Sequence, residues 1–264
     1  MGQAIPIYVI NLDRRTDRRN GIAKRMDQLG LSWTRVSVVD AKAPGDCIYG
    51  RAVAEMSCEG PKERMLHART ASHFRLWDRF LEQGGNYSVV LEDDLTLSDQ
   101  LSAYVKSCDW IPRDADLIKI EKYHPGNLRV LMGPPNGTGP DGRRLHRLYS
   151  RQAGAGGYVI SRAAAEACLH NSAGLAQSVD QYLFDFGTSW QARRMTCYFL
   201  QPALVTQFHR ADHEIELAHR KALLPMLQNV LGAAVSVPRS LRHMLVDGAR
   251  MRDVRWQNHA STDD

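Results

Sequence analysis

The apolar run Ile7-Tyr8-Val9-Ile10, entered almost at once from Ile5-Pro6, constrains this chain's fold more than any other feature. Bounded by the polar stretch that begins at Asn11, it reads as a buried first strand. Residues 14–29 carry Ile22, Met26 and Leu29 at helical spacing and end at Gly30, a helix stop signal. Residues 33–38 read as a second strand, ending at Asp40. A strand–helix–strand opening predicts a parallel sheet and an α/β fold. With 264 residues the chain is long enough for one such domain with a real core.

Further along, residues 41–64 hold Gly45, Gly50, Gly60 and two prolines without clear periodicity, which predicts an irregular excursion over the sheet. A helix is expected over 66–81, with Phe74, Trp77 and Leu81 on one side and Gly84-Gly85 ending it. Residues 87–91 form a short apolar strand that runs into Glu92-Asp93-Asp94. Another strand is expected at 117–120, a Gly- and Pro-rich loop at 133–142, and a strand at 156–160. Ser161 then suits the N-cap of a helix carrying Ala164, Ala165, Cys168 and Leu169. No internal repeat is present.

From about His213 the character changes. Leu223, Leu224, Leu227, Val230 and Leu231 recur at helical spacing, and Pro238 sits where a new helix can begin. In that helix Leu241, Met244 and Leu245 share one face, while Arg239, Arg242, His243 and Arg250 lie toward another. The expected organisation is therefore a domain over 1–212 and a helical, basic, amphipathic segment over 213–264.

Net charge is +5, and much of the excess lies in that segment. Arg220, Lys221, Arg239, Arg242, Arg250, Arg252 and Arg255 face only Asp247 and Asp253 among acids between 220 and 255. Such a tail suits an anionic membrane surface, although a solvated helix face explains the charge equally simply; nucleic acid is not the expected partner. The five cysteines are scattered and lack metal-ligand spacing, which fits reduced thiols in a cytosolic protein. No apolar run is long enough to span a bilayer, and no secretory signal is expected at the N-terminus.

The acidic triplet Glu92-Asp93-Asp94 is the main chemical signal. Strand alternation predicts that Glu92 and Asp94 point together while Asp93 points away. Carboxylates at the C-terminal end of a strand lie where α/β proteins build ligand sites. A hard cation, Mn²⁺ or Mg²⁺, would relieve their mutual repulsion and bring substrate phosphates with it. The plainer alternative is an acidic loop capping a helix near Ser98. A response-regulator receiver also gathers acids at a strand end, but there they follow the first strand. Here the first strand ends in Asn11-Leu12-Asp13-Arg14-Arg15, which argues against that fold.

Arg14, Arg15, Arg18 and Arg19 open the first helix, where cations oppose the helix dipole. A bound phosphate would compensate them; so would surface pairing with Asp13 and Asp17. Asp180 is expected at a helix start, either as an N-terminal charge or as a general base. His73 and His209 stand alone in the sequence, and a lone histidine is more often structural than a ligand.

Taken in order, these residues resemble glycosyltransferase family 25, which includes lipooligosaccharide and collagen-type galactosyltransferases. Tyr8-Val9-Ile10-Asn11-Leu12-Asp13-Arg14 with Arg18 is similar to its first motif, and Ser72-His73 followed by Trp77 to its Ser-His helix. Val90-Leu91-Glu92-Asp93-Asp94 resembles its metal-binding motif. Gly154-Ala155-Gly156-Gly157-Tyr158-Val159-Ile160-Ser161 resembles its glycine-tyrosine strand, and Val179-Asp180 its later aspartate motif. The match covers roughly residues 5 to 209. One stretch departs. The family's Gly-Glu-Ile-Gly-Cys-like run before Ser-His is here Arg64-Met65-Leu66-His67-Ala68-Arg69-Thr70-Ala71, which bears on the donor pocket and the sugar.

The resemblance implies a GT-A-like mixed sheet flanked by helices and an inverting transfer of galactose or glucose from a UDP-sugar. The acceptor would be a lipid-linked oligosaccharide or another surface glycan on the cytoplasmic side of the inner membrane. It further implies a metal on Asp94, with Asp93 or Glu92 beside it and His209 as a third ligand, and Asp180 as base. Asn11, Arg14, Arg18, Asp40, His73, Glu92 and Asp93 would line the donor. The competing class is a degenerate, non-catalytic glycan- or membrane-binding module. A nucleotidyltransferase would need a glycine- and lysine-rich phosphate loop near the N-terminus, and none is present.

Overall fold

The computed structural model describes residues 3–45, 47–123, 129–207 and 240–258. The expected opening is there: β1 (Ile7–Asn11), α1 (Thr16–Gln28) and β2 (Thr34–Ser37), with β1 and β2 parallel. Residues 41–64 are less irregular than expected. They contain α2 (Ile48–Glu55), capped by Cys47, whose Sγ accepts from the Gly50 N–H at 3.3 Å. The helix is only eight residues long, too short to show a period, and Val53, with Tyr49 beside it, anchors it against Ala68 and Ala71. Next comes α3 (Pro61–Gln83), which starts five residues earlier than expected because Pro61 occupies the first turn, where no N–H is required.

β3 (Tyr87–Glu92), β4 (Thr96–Leu97), α4 (Leu101–Val105), β5 (Leu117–Lys119) and β6 (Glu121–Lys122) follow. β7 (Arg129–Thr138) and β8 (Arg144–Leu148) replace the loop expected over 133–142 with an antiparallel pair. Its register shifts between Met132 and Pro135 and again between Pro135 and Thr138. Those irregularities are what let Pro134 and Pro135, which lack an N–H, sit in a strand. β9 (Gly157–Ser161) leads into α5 (Arg162–His170) through the expected cap, Ser161 Oγ accepting from Ala164 N at 3.1 Å. α6 (Val179–Phe184), α7 (Trp190–Arg194), β10 (Cys197–Gln201), β11 (Val205–Thr206) and β12 (Arg250–Asp253) complete the order.

Nine strands form one mixed sheet in the order β12-β7-β8-β10-β5-β9-β3-β1-β2, and β4-β11-β6 form a small second sheet. Strand alternation divides the core. Tyr8 and Ile10 pack with Phe74, Trp77 and Phe80 on one face; Ile7 and Val9 pack with Ile22 and Met26 on the other. Helices on both faces explain why β1 is buried at all five positions.

The C-terminal segment is not uniformly helical. Residues 240–246 are helical and Gly248, at φ 62°, ends that helix. Arg250, expected on a helix face, instead begins β12, an edge strand antiparallel to β7. Ala249 and Val254 are buried, and the buried Arg143 guanidinium donates to Ala203 O at 2.7 Å and Gln257 O at 2.9 Å. Residues 249–258 are thus built into the main sheet's edge. Leu223 to Leu231, Pro238, Arg239 and His209 lie outside the described residues.

Candidate functional site

The C-terminal ends of β1, β2 and β3 and the N-terminal half of α3 enclose a cleft of about 790 Å³. This is the position at which parallel sheets bind ligands. Arg14, Arg15, Arg18, Lys42, Lys62, Arg64 and Arg69 line it, against Asp40, Glu92, Asp93 and Asp94. Seven cations against four carboxylates leave the cleft positive by three.

All three acids of the triplet reach this cleft, so Asp93 does not point away from it as strand alternation predicted. β3 ends at Glu92 and the chain turns at Asp93, where alternation no longer applies. Arg18 Nη1 lies 3.3 Å from Asp93 Oδ1 and 3.2 Å from Asp94 Oδ2, so two carboxylate oxygens converge on one nitrogen. Both aspartate side chains are about nine-tenths buried. Arg14 pairs with Asp40, and both line the cleft. Arg15 pairs with Asp17 at 2.8 Å on the surface. Arg14, Arg15 and Arg18 thus all line the cleft, Arg15 with its guanidinium held by Asp17 at the surface.

Asn11 is not a cleft-lining residue. It is buried, its amide donates to Asp93 Oδ2 at 2.7 Å and to Arg15 O at 3.2 Å, and its Oδ1 accepts from Arg35 at 2.9 Å. Asn11 braces Asp93 and has no polar atom left for a nucleotide. His73 is also displaced from the expected role, lying fully buried behind Glu92 rather than in the cleft. The Ser72-His73 pair works as a clamp. Ser72 Oγ accepts from Val39 N at 2.9 Å, tying α3 to the segment that carries Asp40. His73 Nδ1 meets the Tyr158 hydroxyl at 2.8 Å, and the Trp77 indole donates to that hydroxyl at 2.9 Å.

Glu92 receives Arg69 Nε and Nη2, both 2.7 Å from Oε1. Burial by itself would raise this carboxyl, but the Arg69 charge, with the His73 ring close behind, outweighs it and holds it below the usual carboxylate range. Reciprocally, the Glu92 charge raises Arg69 further above its ordinary value. Burial lowers His73, against the pull of Glu92, so the ring is neutral near pH 7. Gln207 Nε2 completes the group, 3.3 Å from Glu92 Oε2 and 3.4 Å from Asp94 Oδ1.

The glycine turn before β9 is packed too tightly for side chains. A Cβ at Gly156 would stand 2.8 Å from Gln207 Nε2, and one at Gly157 would stand 2.4 Å from Val205 Cγ2. Gly156 O accepts from the Glu92 N–H at 2.8 Å, so the turn fixes the start of the triplet. The buried Lys119–Glu121 pair, at 2.9 Å, supports the same turn through Gly154 O and Gly156 N.

Asp180 sits in the first turn of α6, as expected, but is not among the residues lining the cleft. Its charge is close enough to act on Arg69 and His73. Among the described residues, no group of three or more His, Cys, Asp or Glu side chains is arranged to hold a metal. Sequence reasoning missed Arg69 and Gln207. Arg69 lies four residues before His73 on α3, so helical spacing carried a usable signal. Gln207 has no local signal; only the pairing of β11 brings it to the triplet.

Comparison with known proteins gives the family. The model for glycosyltransferase family 25 (LPS biosynthesis protein) matches residues 4–183. The lacto-N-neotetraose biosynthesis glycosyltransferase LgtE of Neisseria meningitidis serogroup B is 28% identical over 85% of this chain and 88% of its own. LgtB of Neisseria gonorrhoeae is 29% identical over 76% of this chain and 73% of its own. The lipooligosaccharide biosynthesis protein lic2B of Haemophilus influenzae is 23% identical over 60% of this chain and 59% of its own. The family match spans β1, the Ser72-His73 helix, the acidic triplet, the glycine turn and the start of α6. The chain belongs to glycosyltransferase family 25.

Proposed function

We propose that this glycosyltransferase moves galactose or glucose from a UDP-sugar, with inversion, to a lipopolysaccharide or lipooligosaccharide acceptor. The observation that carries the reading is the cleft itself: an excess of cations around the aspartates at the end of β3 suits a diphosphate. The names of the LgtE, LgtB and lic2B relatives supply the acceptor class. The sheet order, with parallel β2-β1-β3 beside antiparallel β9, is consistent with a GT-A-like arrangement.

In this reading Arg14 and Asp40 flank the nucleotide and Arg18 meets the diphosphate. Asp93 and Asp94 suit Mn²⁺ or Mg²⁺, because hard cations take one or two carboxylates together with substrate phosphates, and their oxygens already converge on one point. The cation would neutralise charge on the leaving diphosphate. His209 is the proposed third ligand. Asp180 takes the proton from the acceptor hydroxyl as that oxygen bonds to the anomeric carbon and UDP departs with the electrons of the broken C–O bond.

We also place the enzyme at the cytoplasmic face of an anionic membrane. No helix among the described residues is long and apolar enough to cross one. Residues 240–246 expose Leu241, Leu245 and Val246 on the same short helix as Arg242, a combination that suits interfacial binding.

The test is a screen of UDP-glucose, UDP-galactose and their N-acetyl forms for turnover, with and without Mn²⁺. Asp94→Ala should abolish metal-stimulated turnover and Asp180→Asn should lower kcat. Turnover of none of the four donors would refute the reading. Flotation with anionic liposomes tests the membrane part, which fails if replacing the exposed Leu245 and Val246 with serine leaves binding unchanged.

A further inference from the structure

We propose that Arg69 is a contact for the donor's diphosphate, held ready by Glu92, and that Glu92 is its positioning residue rather than a ligand of the cation. The proposal rests on reading the cleft as a nucleotide-sugar site. It deepens that reading by dividing the triplet into two jobs.

Both carboxylate oxygens of Glu92 are already engaged. Oε1 accepts from Arg69 Nε and faces its Nη2, both at 2.7 Å, and Oε2 faces Gln207 Nε2 at 3.3 Å. His73 stands behind, its Nε2 3.6 Å from Oε1. The tautomer of His73 follows from its neighbours. An indole N–H only donates, so the Tyr158 oxygen accepts from Trp77 and its own proton goes to His73 Nδ1. Nε2 then carries the ring proton and faces Glu92 across 3.6 Å, beyond hydrogen-bond length. A cation at Glu92 would have to displace Arg69 and Gln207 from a nearly buried carboxylate, leaving the guanidinium without its partner. The aspartates are held more loosely toward the cleft: Asp93 Oδ1 and Asp94 Oδ2 meet on Arg18 at 3.3 and 3.2 Å, longer than the 2.7 Å contacts of Arg69 with Glu92, while Asn11 holds Asp93 by its other oxygen.

Arg69 is the product of this arrangement. Nε and Nη2 turn to Glu92, while Nη1 has no hydrogen-bond partner among the described residues. A third of the side chain stays exposed, and it lines the same cleft as Arg18, Asp93 and Asp94. A planar guanidinium with one edge fixed and the other free is pre-oriented for phosphate oxygens.

The experiment is calorimetric titration of UDP and of uridine into wild type, Arg69→Gln, Arg69→Lys and Glu92→Gln, with a separate titration of Mn²⁺ alone. Arg69→Gln keeps a donor for Glu92 but removes the charge. It should weaken UDP about tenfold to a hundredfold while leaving uridine unchanged, which also reports that the site is folded. Arg69→Lys should recover little, since an ammonium cannot serve carboxylate and phosphate together. Glu92→Gln should weaken UDP and leave Mn²⁺ affinity as in wild type. Unchanged UDP affinity in Arg69→Gln, or loss of Mn²⁺ binding in Glu92→Gln, overturns the proposal while the nucleotide reading stands. Wild-type protein that binds neither UDP nor uridine would remove both.

Discussion

Replacing Tyr158 with Phe should cost about 2–4 kcal/mol of folding stability although it removes a single oxygen atom. Tyr158 is fully buried in β9. Its hydroxyl accepts from the Trp77 indole at 2.9 Å and meets His73 Nδ1 at 2.8 Å. Phenylalanine fills the same space, so no cavity term arises, and the loss comes from two buried polar groups that lose their partner. Each such group costs about 1–3 kcal/mol, reduced somewhat because the removed hydroxyl no longer has to be desolvated itself. Domains are stable by about 5–15 kcal/mol in all, so the effect is large. Urea denaturation at pH 7 measures it: the midpoint should fall while the slope m stays constant, since the surface exposed on unfolding is the same. A double-mutant cycle with Trp77→Phe should show the two changes coupled by about 1 kcal/mol, because one hydrogen bond is removed by both. A loss below about 0.5 kcal/mol, the range of unremarkable surface substitutions, would refute the hydrogen-bonded chain and with it the tautomer assigned to His73.

Gly157→Ala should destabilise by about 1–3 kcal/mol, because its Cβ would lie 2.4 Å from a methyl of buried Val205; Gly21→Ala, with nothing within 4 Å on an exposed face of α1, should stabilise by about 0.5–1 kcal/mol, and thermal melts that failed to separate the two would be inconsistent with the packing described. Glu92 makes stability pH-dependent: its folded carboxyl lies below the ordinary value, so its contribution is whole above the unfolded pKa and is lost as pH falls through the folded one. The stability gap between wild type and Glu92→Gln should therefore shrink as pH drops below about 4.3, and a gap constant with pH would contradict the Arg69–Glu92 pairing. Cys58 lines the cleft, whereas burial pushes the Cys168 thiol up to about 12 and shields it. Native alkylation should label Cys47, Cys58 and Cys108 but spare Cys168 and Cys197, and bound UDP should protect Cys58 and not Cys108; labelling of Cys58 unaffected by UDP would place the nucleotide elsewhere.

The exposed arginines at the first helix show how little of a site's chemistry is local. Sequence reasoning left phosphate and surface pairing open for all four. In the fold Arg15 turns to Asp17, Arg14 to Asp40, and Arg18 to Asp93 and Asp94, residues more than seventy positions away. Asn11 shows the same effect in reverse. The family resemblance implied that it lines the donor, yet the neighbouring strands surround it and its amide is used to hold Asp93.

What the sequence determined by itself is what depends on near neighbours along the chain. The apolar run at β1, the helix-period residues of α1, the caps at Gly30 and Ser161, and the acids at the end of β3 are short-range patterns whose physics is complete within a few residues. The tertiary structure alone decided which polar groups meet. Sheet order brings β9 beside β3 and places Tyr158 under His73; β11 delivers Gln207; α3 lays Arg69 across Glu92. It also turned a proline-rich loop into a bulged strand, and part of a basic tail into the sheet's edge. Hydrogen bonds and charges act over a few ångströms in space whatever the separation in sequence, so the roles within Glu92-Asp93-Asp94 became readable only once the chain was folded around them.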